Sequence, residues 1–155
     1  MEKKIILLVE DNPDDIKLTQ RAFLKSNIAD KIDLRIAEDG LSALDYLFGS
    51  NLNKDKNKGQ LPAIILLDLN LPKLNGLQVL ERIRKEKTTK LIPVIILTSS
   101  KEDTDLIRAY KLGTNSYIRK PVDFEKFKAA IQQLGLYWVA LNESPQSEAY
   151  LSYTE

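Results

Sequence analysis

Three acids, a hydroxyl and a lysine occupy comparable places along this chain, each at or just beyond the end of a short apolar run. Glu10 and Asp11 follow the run at 5–9, Asp68 follows the run at 63–67, and Thr98 closes the run that starts at Val94. Lys120, with Pro121 behind it, comes just after a fifth short run at 116–118. Carboxylates brought close together repel one another and hold onto protons unless a cation offsets them. An all-oxygen set with positions left open for water and phosphate suits a hard cation, Mg2+ in particular. Lys120 is a flexible point charge able to reach a phosphate oxygen, and the Thr98 hydroxyl can donate to another.

Taken singly, each of these residues has a plainer reading. Acids ahead of a helix serve as caps and dipole partners, and Asp14 and Asp15 are read as that and no more. Threonine is an ordinary strand residue, and a lone lysine is usually solvated. What the plain readings leave unexplained is the joint occurrence, with each residue at the end of the right strand in the right order.

The elements that must position them alternate in period. The runs at 5–9, 63–67 and 94–97 are continuous and rich in Ile, Leu and Val, as expected of strands buried on both faces of a parallel sheet. The segment Ile32-Asp33-Leu34-Arg35-Ile36 alternates apolar with charged residues and belongs at an edge. Between the runs, apolar residues recur at helical spacing: Leu41, Leu44 and Phe48; Gly76, Val79, Leu80 and Ile83; Leu106, Ile107 and Tyr110; Phe124, Phe127, Ile131 and Leu134. Asn12 followed by Pro13 predicts the start of the first helix, and Gly113 a helix C-cap. The resulting (βα)5 string, with right-handed crossovers, predicts an α/β doubly wound parallel five-stranded sheet of order 2-1-3-4-5. In such sheets the ligand crevice lies at the carboxyl ends of the strands.

Composition narrows the functions further. The chain has 155 residues, with 43% hydrophobic, 29% charged and a net charge of +1. That is the size of one domain, without the basic footprint of a nucleic-acid binder. It has no cysteine and no histidine, so thiolate zinc sites, disulfides and a Ser-His-Asp triad are excluded. The start reads as no secretory signal and no run is long enough to span a bilayer, so a cytoplasmic location is expected. Residues 1–141 are read as the domain, with a polar, lysine-rich insertion at 51–60, a last helix extended through 135–141, and a tail at 142–155.

The segments LLVEDNPDD, LLDLNLPKLNG, ILTSS and YIRKP strongly resemble the receiver domains of two-component response regulators, over about residues 4 to 138. The resemblance implies the flavodoxin-like receiver fold, with Asp68 as phosphoacceptor. It implies Mg2+ bound directly by Asp11, Asp68 and the backbone carbonyl of Asn70, and by Glu10 mostly through water. It further implies that Thr98 and Lys120 contact the phosphoryl oxygens, that the Lys120–Pro121 bond is cis, and that Thr98 and Tyr117 form a switch in which Tyr117 turns inward. Asn70 and Ser100 fall where the family tunes the phosphoryl lifetime. The donor would be a phosphohistidine on a partner histidine kinase.

Within the family, the insertion and the extension LGLYWVAL look like the stand-alone regulators paired with phytochrome-type kinases. In that subgroup such an extension often supports a homodimer. A dimer here would use the fourth helix, fifth strand and fifth helix together with the C-terminal extension, while an aromatic patch for a partner and simple closure of the core are equal readings of Tyr137-Trp138.

Two other functions compete. A Mg2+-dependent phosphatase or phosphotransferase with an aspartyl nucleophile, of the haloacid dehalogenase type, carries a second acid two residues on, where this chain has Asn70. A nucleotide or flavin binder needs a phosphate cradle, and EDNPDD is acidic instead.

Overall fold

Four consecutive side chains, Ile64 to Leu67, are wholly excluded from solvent, which is possible only for a strand covered on both faces. In the computed structural model, which describes residues 2–49 and 61–145, this strand lies at the centre of the sheet. The elements in chain order are β1 (Lys4–Val9), α1 (Pro13–Leu24), β2 (Ile32–Ala37), α2 (Gly40–Phe48), β3 (Ile64–Leu67), α3 (Gly76–Lys85), β4 (Val94–Thr98), α4 (Asp103–Leu112), β5 (Ser116–Arg119) and α5 (Phe124–Gly135). A π-helical stretch, Leu136–Leu141, continues α5. The strands are all parallel, in the order β2-β1-β3-β4-β5. The alternating segment is an edge, as its charges require.

Two apolar layers cover the sheet. On one face Ile6, Leu8, Leu66 and Ile95 pack against Phe23 of α1 and Phe127 and Ile131 of α5. On the other, Leu7, Val9, Leu67 and Ile96 pack against Leu47 of α2, Leu80 and Ile83 of α3, and Ala109 of α4. Alternate strand residues thus feed opposite layers. Each fully buried Leu or Ile contributes about 1.5–3 kcal/mol relative to exposure.

The starts of α1, α2, α3 and α5 are fixed by side-chain caps. The Asn12 side chain accepts from the N–H groups of Asp14 and Asp15, with Pro13 at the first helical position. Asp39 caps α2 and Asp123 caps α5, and Asn75 with Gln78 forms a reciprocal capping box on α3. Gly113 ends α4 in the left-handed region at φ 101°.

Three helical faces differ from expectation. On α2 the buried residues are Gly40, Ala43 and Leu47, while Leu41 is exposed. Gly40 sets this rotation: a Cβ there would lie 2.1 Å from the Leu74 carbonyl oxygen, so the helix seats its glycine against that loop. On α4 only Ala109 is fully buried, and Ile107 and Tyr110 face solvent. A small residue, not the large apolar ones, makes the close contact there. Phe124 at the start of α5 is likewise largely exposed.

Beyond α5, Val139 is buried, Trp138 packs on the α1–α5 layer, and Tyr137 projects outward while meeting Trp138 edge to face. The insertion at 51–60 and residues 146–155 of the tail lie outside the described residues.

Candidate functional site

The register of the sheet brings the singled-out residues to one rim. Val9 pairs with Leu67, so Glu10 and Asp68 leave adjacent strands side by side. The Asp68 N–H donates to the Val9 carbonyl at 3.0 Å, and the Glu10 N–H to the Ala37 carbonyl at 3.0 Å. On the other side Thr98 pairs with Arg119, and the Lys120 N–H donates to the Thr98 carbonyl at 2.7 Å. Backbone ladders that extend one residue past the strands therefore hold Glu10, Asp68 and Lys120 in place.

At the centre sits the Lys120 ammonium, only 9% exposed. It donates to Glu10 Oε1 at 2.5 Å, Asp15 Oδ2 at 2.8 Å and Asp68 Oδ2 at 3.3 Å. Its three N–H donors thus meet three carboxylates. The second oxygen of Glu10 accepts from the Asn12 N–H at 3.1 Å, and that of Asp68 from the Leu69 N–H at 2.7 Å. The Asn70 N–H approaches the same Asp68 oxygen at 3.4 Å. One oxygen of Asp68 is tethered to the backbone, and the other faces the lysine.

Charge in this pocket does not balance. Three carboxyl groups converge on one ammonium, so the acids outnumber the cation, and Asp11 stands beside them. Carboxylate oxygens of Glu10, Asp11 and Asp68 all lie within 4.8 Å of one another, the first and last buried and Asp11 exposed. Burial, aided by the charge of Asp68, pushes the Glu10 carboxyl up to about 7 despite its hydrogen bond to Lys120. The same carboxylates hold the Lys120 ammonium above its ordinary value against the cost of burial. The donor set is hard oxygen, and its excess charge is what a divalent ion offsets.

Thr98 is wholly buried, with its Oγ1 accepting from the Ser100 N–H at 3.2 Å. The Ser100 hydroxyl is committed to Asp105 at 2.7 Å. Tyr117 points inward: its hydroxyl is buried beside Ser100 without a partner of hydrogen-bonding geometry, and burial pushes its pKa up. Tyr117 packs on the α2–α4 layer.

Two expectations are corrected. Asp15 is more than a dipole partner, since its carboxylate is one of the three on Lys120. Asp15 heads the stripe Asp15-Thr19-Ala22, whose last two members are buried; an acid at the top of a buried stripe was the available signal. The Lys120–Pro121 bond is trans, there being no cis peptide among the described residues. Trans is the lower-energy isomer even before proline, and the lysine reaches its three partners in that form.

The loop after β3 seats the site from below. Gly76, the first residue of α3, lies so close to the Asp68 backbone that a Cβ would fall 2.1 Å from the Asp68 carbonyl oxygen, and its N–H donates to the Leu69 carbonyl at 2.9 Å. Lys73 takes the left-handed conformation, φ 68°, to close this loop.

Comparison with known proteins bears on this rim. The family model for the response regulator receiver domain matches residues 6–132. The chain belongs to the response regulator receiver family. Among its relatives, this receiver domain is 42% identical over 141 residues to the probable methanogenesis regulatory protein FilR2 of Methanothrix harundinacea (strain 6Ac), covering 91% of this chain and 87% of that one. It is 37% identical over 136 residues to the response regulator Rcp1 of Synechocystis sp. (strain ATCC 27184 / PCC 6803 / Kazusa), covering 88% and 89%. The Mn(2+)-bound form of Rcp1 matches it in structure with a TM-score of 0.80 over 92% of this chain and 99% of that one, at 35% identity. The phosphorylated cyanobacterial phytochrome response regulator RcpA matches with a TM-score of 0.84 at 33% identity, over 92% and 99%. The receiver domain is thus related to phytochrome-associated response regulators. No helix among its described residues is long and apolar enough to cross a membrane.

Proposed function

We propose that this receiver domain accepts a phosphoryl group on Asp68 from a phosphohistidine of a histidine kinase, in a reaction that requires Mg2+. The observation that carries this reading is the Lys120 ammonium held among Glu10, Asp15 and Asp68, beside an acid cluster with negative charge to spare. Asp68 Oδ2, the oxygen facing the pocket, attacks phosphorus; the new P–O bond forms as the P–N bond to the kinase histidine breaks. Lys120 and Thr98 take the phosphoryl oxygens and stabilise the charge that builds on them. Asp11, Asp68 and the Asn70 carbonyl would hold the metal directly and Glu10 through water; the bound ion supplies the charge neutralisation that lets two anions meet. The domain is a phosphoacceptor rather than an enzyme with turnover on free substrates, and it acts in the cytoplasm.

Output passes through protein contacts. Thr98 and Tyr117 form the switch, next to the face built from α4, β5 and α5, where Ile107, Tyr110, Val122 and Phe124 are exposed. That face, with the C-terminal extension, supports a homodimer. The likeness to the phytochrome response regulator RcpA favours a phytochrome-type kinase as donor.

The test is Mg2+-dependent labelling by acetyl phosphate. Wild type should form an acid-stable, base-labile adduct at one site, and Asp68→Asn should form none. Retained labelling in the variant would show the acceptor to be wrong. A beryllofluoride mimic should change hydrogen exchange in α4 and β5, and identical protection with and without it would remove the proposed output face.

A further inference from the structure

We propose that Asp15 is the positioning residue for Lys120, retaining the ammonium at the rim when a divalent ion claims Glu10 and Asp68. This rests on the phosphoacceptor reading above and adds a residue to it. An ammonium has three donors, and here all three are engaged, by Glu10, Asp15 and Asp68. Two of those acceptors, Glu10 and Asp68, belong to the acid trio that fits a cation. Asp15 does not, for the trio is completed by Asp11. With metal held directly by Asp68 and through water by Glu10, those carboxylates turn toward the ion and Lys120 loses contacts there, while still needing a counter-charge in a pocket that leaves it only 9% exposed. Asp15, at 2.8 Å, is the acceptor that remains.

The position of Asp15 suits this task. It sits in the first turn of α1, where its N–H is held by the Asn12 cap and its carbonyl by the Thr19 hydroxyl at 2.7 Å. Its backbone is therefore fixed independently of the lysine. Its side chain is 25% exposed, against 3% for Glu10, so it stays within reach of solvent. With one donor anchored on Asp15, the other two are free to turn toward phosphoryl oxygens on Asp68. Without that anchor, Lys120 either clings to Glu10 and Asp68, competing with the metal, or swings out to solvent.

The experiment compares Asp15→Asn with Asp14→Asn, which removes an equal charge from an exposed neighbour on the same turn. Mg2+ affinity is measured by calorimetry, and the rate of acetyl phosphate labelling is measured at saturating Mg2+. Asp15→Asn should label roughly tenfold more slowly and bind Mg2+ several-fold more weakly, the scale of one charge-assisted hydrogen bond. Asp14→Asn should change either by less than about twofold. In a Lys120→Met background, Asp15→Asn should affect Mg2+ affinity no more than Asp14→Asn does, and Asp15→Glu should restore part of the labelling rate in wild type.

Asp15→Asn behaving like Asp14→Asn, or weakening Mg2+ binding equally with Lys120 removed, overturns the assignment and leaves the phosphoacceptor reading intact. A wild-type chain that neither binds Mg2+ nor labels defeats both.

Discussion

Two cations in this molecule each tie several elements together, and they do so with opposite chemistry. Lys120 gathers the carboxyl ends of β1 and β3 and the start of α1 through three carboxylates. Arg84, near the end of α3, gathers the amino ends of β4 and β5. Its guanidinium donates to the carbonyls of Gly113 at 2.8 Å, Lys90 at 3.1 Å and Ile92 at 2.9 Å, and to Asn115 Oδ1 at 2.8 Å. The acceptors of Arg84 are neutral, so that network is complete and asks for nothing more. The acceptors of Lys120 are charged and outnumber it, so that network is left wanting positive charge. One rim of the sheet is tied by neutral acceptors, and the other gathers acids that could hold a metal ion.

The largest expected effect separates the rims directly. Arg84→Met strands several acceptors at once and should cost about 3 kcal/mol in urea unfolding, with the loss unchanged by Mg2+. A loss under about 0.5 kcal/mol, the scatter of a surface change, would mean that the guanidinium is not a structural tie. Next, Mg2+ at about a hundred times its dissociation constant should stabilise wild type by about 2.7 kcal/mol. Arg84→Met should gain as much, and Asp68→Asn clearly less. Equal gains in all three would place the ion elsewhere.

A smaller effect has the opposite sign from most substitutions of buried groups. In metal-free buffer Asp68→Asn should raise stability, by about 1 kcal/mol, because removing one of the crowded carboxylates outweighs the one acceptor lost, the single amide oxygen facing Lys120 or the Leu69 N–H but not both. A clear loss would show the carboxylate to be balanced already.

The subtlest effect is in pH. Glu10 binds its proton more tightly folded, at about 7, than at its ordinary 4.5. The folded state then holds more protons than the unfolded one between those values, so this group's contribution to metal-free stability is full below about 4.5 and is lost as pH rises to about 7. Metal must displace the same proton, so Mg2+ affinity should fall as pH drops below about 7. An affinity flat from pH 8 to 6 would contradict this.

Much of this rim was legible because strand ends announce themselves. Apolar runs ending in acid, hydroxyl and lysine located Glu10, Asp11, Asp68, Thr98 and Lys120, and the alternation at 32–36 placed the edge that orders the sheet. Asp15 was hidden because a cap and dipole role already accounted for it, and its second role depends on a lysine 105 positions away. The α4 face was misjudged for a related reason. Periodicity shows which residues share a side, whereas which side turns inward depends on Ala109 fitting closely where Ile107 and Tyr110 would not. The isomer before Pro121 leaves no trace in residue type.

The seat of Gly76 against the Asp68 carbonyl has a mechanical consequence. With no room between them for even a methyl group, the Asp68 backbone is braced from behind, and on the phosphoacceptor proposal it has no space to recoil when a group is added to its side chain. On that proposal displacement would pass sideways, toward Thr98 and the Tyr117 hydroxyl, which lies beside Ser100 without a partner of hydrogen-bonding geometry. The wall behind Asp68 would thus decide on which side of the pocket an added group is felt.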